Sequence, residues 1–118
     1  MEDLSADDFT PKEMYDEYNS RYFRGILPDL PVFWDKFEGE NQHTFGITWF
    51  EHKLAGGRPL RICLNPFYKE MSKIWAFTLL HEMVHVKFWE VPKSQQHGRK
   101  FQKEMKRLAN VGAFNYLW

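Results

Sequence analysis

His81-Glu82-Met83-Val84-His85 sets two imidazoles four residues apart with a carboxylate beside the first. In a helix that spacing is just over one turn, so both rings leave the same face and can converge on one metal ion. Catalytic sites of this type take three protein ligands and keep a further position for water, which demands one more ligand downstream. His97 is the only histidine after His85. The chemistry implied is hydrolysis of a peptide bond by a metal-activated water, with Glu82 taking the proton and returning it to the leaving amine. Glu104 is the rival third ligand, because a glutamate from the following helix completes some H-E-x-x-H sites.

These groups need a helix beneath the motif and another element behind it. Trp75-Ala76-Phe77-Thr78-Leu79-Leu80 and Val86-Lys87-Phe88-Trp89 predict an amphipathic, mostly buried helix over residues 72–89, ended by Pro92. Three ionisable residues inside such a helix are costly unless a metal or polar partners answer them. The last helix is expected from near Gly98 to near Gly112, with Phe101, Met105, Leu108 and Ala109 on one face. There Gly98 would let the backbone approach a metal and Phe101 would pin the helix to the core. The plain alternative for His97 is a solvent-facing residue capping that helix.

Upstream, Thr10-Pro11-Lys12-Glu13 is a capping box that opens a helix over residues 11–24, carrying Met14, Tyr15, Tyr18 and Tyr22 until Gly25. Val32-Phe33-Trp34, residues 44–50 and, past the Gly56-Gly57 turn, residues 60–64 predict three strands. The order α-β-β-β-α-α gives an α+β fold, a small three-stranded sheet packed on three helices. Residues 46–50 and 60–64 are the candidate strands for binding an extended substrate by β-augmentation. Tyr68, His52 and Tyr116 qualify by type as a second oxyanion donor, and spacing selects none of them.

With 118 residues, 43% hydrophobic and 18% aromatic, one domain over residues 1–118 with a real core is expected, residues 1–8 forming a flexible start. Lys+Arg and Asp+Glu are both 16, so nucleic-acid contact would need a local basic patch. Lys100, Lys103, Lys106 and Arg107, with Lys87, Lys93 and Arg99 nearby, form the candidate face for single-stranded DNA; a solvated helix surface reads the same way. Trp34, Trp49 or Trp89, if exposed, would stack on bases. The lone Cys63 excludes an internal disulfide and reads as a buried thiol in a reducing compartment. The acidic first eight residues lack a signal peptide's basic flank and apolar core, and no run reaches membrane-spanning length. A soluble, cytoplasmic monomer is expected, in the nucleoid or nucleus if it associates with DNA.

Five segments carry a family resemblance: residues 19–28 (NSRYFRGILP), 46–49 (GITW), 62–66 (ICLNP), 79–85 (LLHEMVH) and 97–101 (HGRKF). In order and spacing they resemble the SprT-like family from about residue 9 to residue 108, and the H-E-M-x-H with H-G-x-x-F pairing is far more specific than H-E-x-x-H alone. The resemblance implies a zincin-like minimal metalloprotease core in which His81, His85 and His97 bind Zn²⁺ and Glu82 is the general base. The Spartan branch further implies DNA-dependent action on proteins crosslinked to DNA. Bacterial relatives usually add a zinc ribbon of four cysteines, and Spartan adds tails for DNA, a sliding clamp and ubiquitin. One cysteine in a chain ending at Trp118 leads to the expectation of a short form without them. The alternative is a nucleic-acid-associated zinc-binding module with little or no peptidase activity. A purely structural zinc site is disfavoured, since such sites are closed by four ligands and three are evident.

Overall fold

The capping box closes as its sequence requires. The Thr10 side chain accepts the Glu13 amide at 3.1 Å, and Glu13 Oε1 accepts the Thr10 amide at 2.9 Å. Helix α1 (Pro11–Tyr22) follows, in a computed structural model that describes residues 6–51, 57–91, 95–115 and 117. It stops short of Arg24 because the Phe23 and Gly25 amides both turn back to the Asn19 carbonyl, at 3.1 and 2.9 Å. Arg24 and Gly25 then take φ of +56° and +71°, the left-handed exit that glycine adopts without strain.

The remaining elements are β1 (Val32–Trp34), β2 (Gly46–Phe50), β3 (Pro59–Leu64), α2 (Ser72–Lys87) and α3 (Arg99–Asn110). They realise the expected α+β order, each strand and helix lying within or close to its predicted span. The sheet runs β1-β3-β2, with Val32 beside Ile62 in a parallel pair and Ile47 beside Cys63 in an antiparallel one. A register irregularity falls at Trp49/Phe50. Since β3 is paired on both sides, it has no free edge for an added strand, which corrects the expectation for residues 60–64. Of the two candidates only β2 is an edge.

Helix α2 is central rather than one-faced. Trp75, Leu79, Leu80, Met83, Val84 and Val86 are all buried, and the helix touches α1, β2, β3 and α3. Ile62 and Leu64 from β3 and Met14, Tyr15 and Tyr18 from α1 complete the same core. Of the expected flexible start, residues 1–5 lie outside the described residues, and Ala6–Asp8 is a 3-10 turn with Ala6 buried in the core. Pro92, the anticipated helix stop, is also outside the described residues; α2 ends earlier, at Lys87, with Phe88 as its cap. Cys63 is a buried free thiol. No helix among the described residues is long and apolar enough to cross a membrane.

One buried carboxylate ties three helices together. Glu104 on α3 accepts from Lys87 Nζ on α2 at 2.8 Å and from Arg107 at 2.7 and 2.8 Å, while Arg107 also donates to the Tyr22 carbonyl at the end of α1 at 2.7 Å. Burial alone would raise the Glu104 pKa, but the hydrogen bonds from Arg107 and Lys87 outweigh it and hold the carboxyl below its ordinary 4.5. A group with a depressed folded pKa stabilises the fold above its unfolded value and loses that contribution as pH falls through the folded one. The stability gap between the wild type and Glu104→Gln is therefore expected to be full at neutral pH and to narrow below about pH 4.5. Paired thermal melts across that range check it; a gap that widens on acidification would contradict the assignment.

Candidate functional site

Helix α2 supplies His81, Glu82 and His85, and the turn before α3 supplies His97. Their imidazoles form a group able to hold a metal ion, with donor atoms all within 4.8 Å of one another. His85 Nε2 and His97 Nε2 stand 3.1 Å apart. Two nitrogens bound at ~2.0–2.1 Å with a tetrahedral angle between them stand about 3.3 Å apart, so this pair is close to ligand spacing. Burial, reinforced by the neighbouring imidazoles, pushes His85 down to about 4, and burial with His97 nearby also lowers His81. Both rings are thus neutral at pH 7, the form in which imidazole is a ligand. The donor set and its protonation fit a borderline-soft divalent ion.

Phe101 makes the floor of this group. Its ring centroid lies 4.9, 4.8 and 4.9 Å from those of His81, His85 and His97. Such an apolar backing restricts the rings' orientations and keeps solvent from one side. Its role exceeds the helix-pinning expected of it. Gly98 plays a different part from the one anticipated: a Cβ there would meet the Gln95 carbonyl at 3.1 Å, so the tight contact is within the turn. Gly98 itself is the α3 N-cap, and among the described residues no side-chain cap bond is made there, so His97 does not take the capping role.

Glu104 does face the core beside Phe101 and Leu108, as a third ligand would. Its carboxylate is nevertheless consumed by Lys87 and Arg107, and it is absent from the metal-competent group. The structure therefore brings His97, and not Glu104, to His81 and His85.

Glu82 lies at the interface with β2, one carboxylate oxygen held by that strand and the other toward His81. It is 7% exposed, and Thr48 Oγ1 donates to its Oε1 at 2.7 Å, leaving Oε2 3.8 Å from His81 Nε2. Burial pushes the carboxyl up to about 7, against the lowering effect of the Thr48 bond. A carboxylate poised near neutrality suits proton transfer at physiological pH. β2 comes this close because Gly46 has no side chain; a Cβ there would stand 2.8 Å from Thr78 Cγ2.

Thr48 escaped the sequence reading, although the alternation along β2, with Trp49 exposed, turns it toward α2. Thr48→Val is expected to lower the turnover rate of any Glu82-dependent reaction roughly tenfold by freeing the carboxylate, with Thr48→Ser largely restoring it. Steady-state kinetics of the two variants checks this, and equal rates for Val and Ser would remove the role.

Of the oxyanion candidates, the Tyr68 hydroxyl donates to the His43 carbonyl at 2.9 Å, and His52 and Tyr116 lie outside the described residues. On α3, Lys100, Lys103 and Lys106 are exposed while Arg107 is turned inward; Lys93 is outside the described residues. Among the three tryptophans singled out, only Trp49 is well exposed, at 44%, and Arg61 lies over its ring. Trp34 packs edge-on against Trp75.

A central helix presenting two histidines, a third histidine from the next turn and a buried glutamate against an edge strand define a compact α+β domain with a metal-competent site. The chain belongs to the SprT-like family, metalloprotease-type domains, which it matches over residues 11–116. No curated protein and no solved structure matches it.

Proposed function

We propose that this protein is a zinc-dependent metalloendopeptidase. The observation that carries the reading is the convergence of His81, His85 and His97 beside a glutamate that is buried, oriented by Thr48 and free at its second oxygen. Zn²⁺ held by the three imidazoles supplies Lewis-acid polarisation of a carbonyl and activation of a water. Glu82 accepts the proton of the attacking water through the oxygen that Thr48 leaves free, and hands it to the departing amine. Thr48 fixes the carboxylate's plane during both transfers. The free edge of β2 aligns an extended polypeptide by main-chain hydrogen bonds, which sets its backbone across Glu82 with little side-chain demand.

The exposed Lys100, Lys103 and Lys106 support action on DNA-associated or DNA-crosslinked protein, with Arg107 excluded from that face by its internal bonds. They equally support the second reading, a nucleic-acid-associated zinc-binding module with little or no peptidase activity. The buried free thiol fits a cytoplasmic setting. The test is digestion of an unstructured protein by zinc-loaded and chelator-stripped protein, each with and without single-stranded DNA. Zinc-dependent cleavage that requires DNA supports the DNA-directed peptidase, and DNA-independent cleavage a general one. Zinc binding and salt-sensitive DNA binding without cleavage would favour the binding module.

A further inference from the structure

A cleft of about 550 Å³ opens beside the catalytic pair, with His81 and Glu82 in its wall. The rest of that wall is largely apolar, with Phe45 before β2, Ile74 and Phe77 one to two turns up α2, and Leu117, and Lys73 is its one charged side chain beyond His81 and Glu82. It adjoins an aromatic ledge through Phe45, whose ring lies tilted against Tyr68 with centroids 4.5 Å apart, while Phe67 meets Tyr68 edge-on at 5.0 Å. Phe45, Phe67 and Ile74 are 50%, 66% and 39% exposed, a grouping that soluble proteins rarely leave uncovered without a use.

The ledge is held in place. Buried Asn65 donates to the Gln42 and Thr44 carbonyls, each at 2.9 Å, and accepts the Phe67 amide at 3.1 Å, fastening the segment before β2 to the turn that carries Phe67 and Tyr68. Tyr68 adds its bond to the His43 carbonyl at 2.9 Å. A preorganised apolar surface binds apolar groups without first spending free energy on its own ordering.

We infer that this cleft is the side-chain subsite of the peptidase, taking a large apolar residue next to the scissile bond, and that the ledge takes a second one nearby. The inference deepens the peptidase reading and rests on it for the identity of the occupant. Continuity decides that identity: Gly46, the first residue of the edge strand, lines the cleft together with Glu82, so a polypeptide laid along β2 passes its side chains over the opening. The volume exceeds that of any one side chain, so even the largest aromatic or long aliphatic residue enters, and the wall offers it mainly carbon. Two neighbouring large apolar residues are seldom displayed together on a folded surface, so the substrate class is unfolded polypeptide. The selection would be made by the cleft and not by the β2 edge, which reads only main chain.

The decisive residue is Ile74, which lines the cleft, is partly exposed and takes no part in the metal group or the Glu82 hydrogen bond. Peptides sharing one frame, with Phe, Leu, Ala, Glu or Lys at a single position, are digested by the zinc-loaded wild type and by Ile74→Lys, and the cut bonds are mapped. The wild type is expected to favour Phe and Leu over Ala by roughly tenfold or more in kcat/KM. Ile74→Lys should lose that preference and gain toward Glu. In parallel, binding of the Phe and Ala peptides to Glu82→Gln protein is followed by amide chemical shifts, which needs no turnover. Cleavage without apolar preference, or identical cut sites in wild type and Ile74→Lys, would overturn the subsite. Preferential Phe binding that perturbs Ile74 and Phe77, with no cleavage by the wild type, would uphold the cleft and sink the peptidase. Neither binding nor cleavage would sink both.

Discussion

Zinc-loaded Glu82→Gln protein is expected to lose cleavage by about 10²–10⁴-fold while binding metal as tightly as the wild type. Glutamine has the same shape and can still accept the Thr48 hydroxyl at the position of Oε1. What it lacks is a basic oxygen facing the histidines. It takes no part in the metal-competent group, so the donor set is untouched. Because the native carboxyl is buried and pushed up to about 7, a neutral amide also removes a charge the site disfavours. The metal-free variant should melt no lower than the wild type. Metal titration against a chromophoric chelator, melting curves and digestion of an unstructured protein form one set of measurements. Retained cleavage would end the general-base role, and lost metal would show that Glu82 supports the ligands.

Local chemistry made much of this legible, and long-range pairing hid the rest. The start of α1 was readable because a capping box is written in four consecutive residues. Its end was not, since nothing before Gly25 announces that Arg24 will already leave the helix. β1 and β2 were visible as β-branched or aromatic runs and β3 as a short run between the Gly56-Gly57 turn and Asn65-Pro66, yet the order β1-β3-β2 depends on which strands meet across the core. That order decides which edge is free, and so which of the two proposed strands can receive a substrate. The motif histidines needed only helical periodicity. Thr48 needed the register of β2 against α2, and the Phe101 floor needed the angle at which α3 crosses, neither of which is encoded within a few residues. The apolar run over α2 announced burial and concealed its extent, because a helix enclosed on several sides keeps no polar face to betray its orientation.

His97→Ala and Glu104→Ala should separate cleanly, although both residues met the sequence requirement for a third ligand. Removing His97 leaves two imidazoles on one helix, and metal affinity is expected to fall by well over about 100-fold, since even indirect support of a ligand accounts for 10–100-fold. His97 is exposed and its neighbours are held by Phe101, so the melting temperature of the metal-free protein should scarcely change. Removing Glu104 should do the reverse. Lys87 and Arg107 would face each other without their shared carboxylate, while Arg107 would keep the Tyr22 carbonyl and its place over the Phe23 ring. Because their side chains are 25% and 40% exposed, water recovers part of the loss, and a cost of about 2 kcal/mol is expected in place of the larger value for a fully enclosed pair. Metal binding at saturating protein stability should persist, weakened only as far as α3 loosens behind His97. Isothermal titration with Zn²⁺ and denaturant melts of both variants measure the two effects independently. Lost metal binding with unchanged stability in Glu104→Ala would restore the glutamate as the ligand and displace His97.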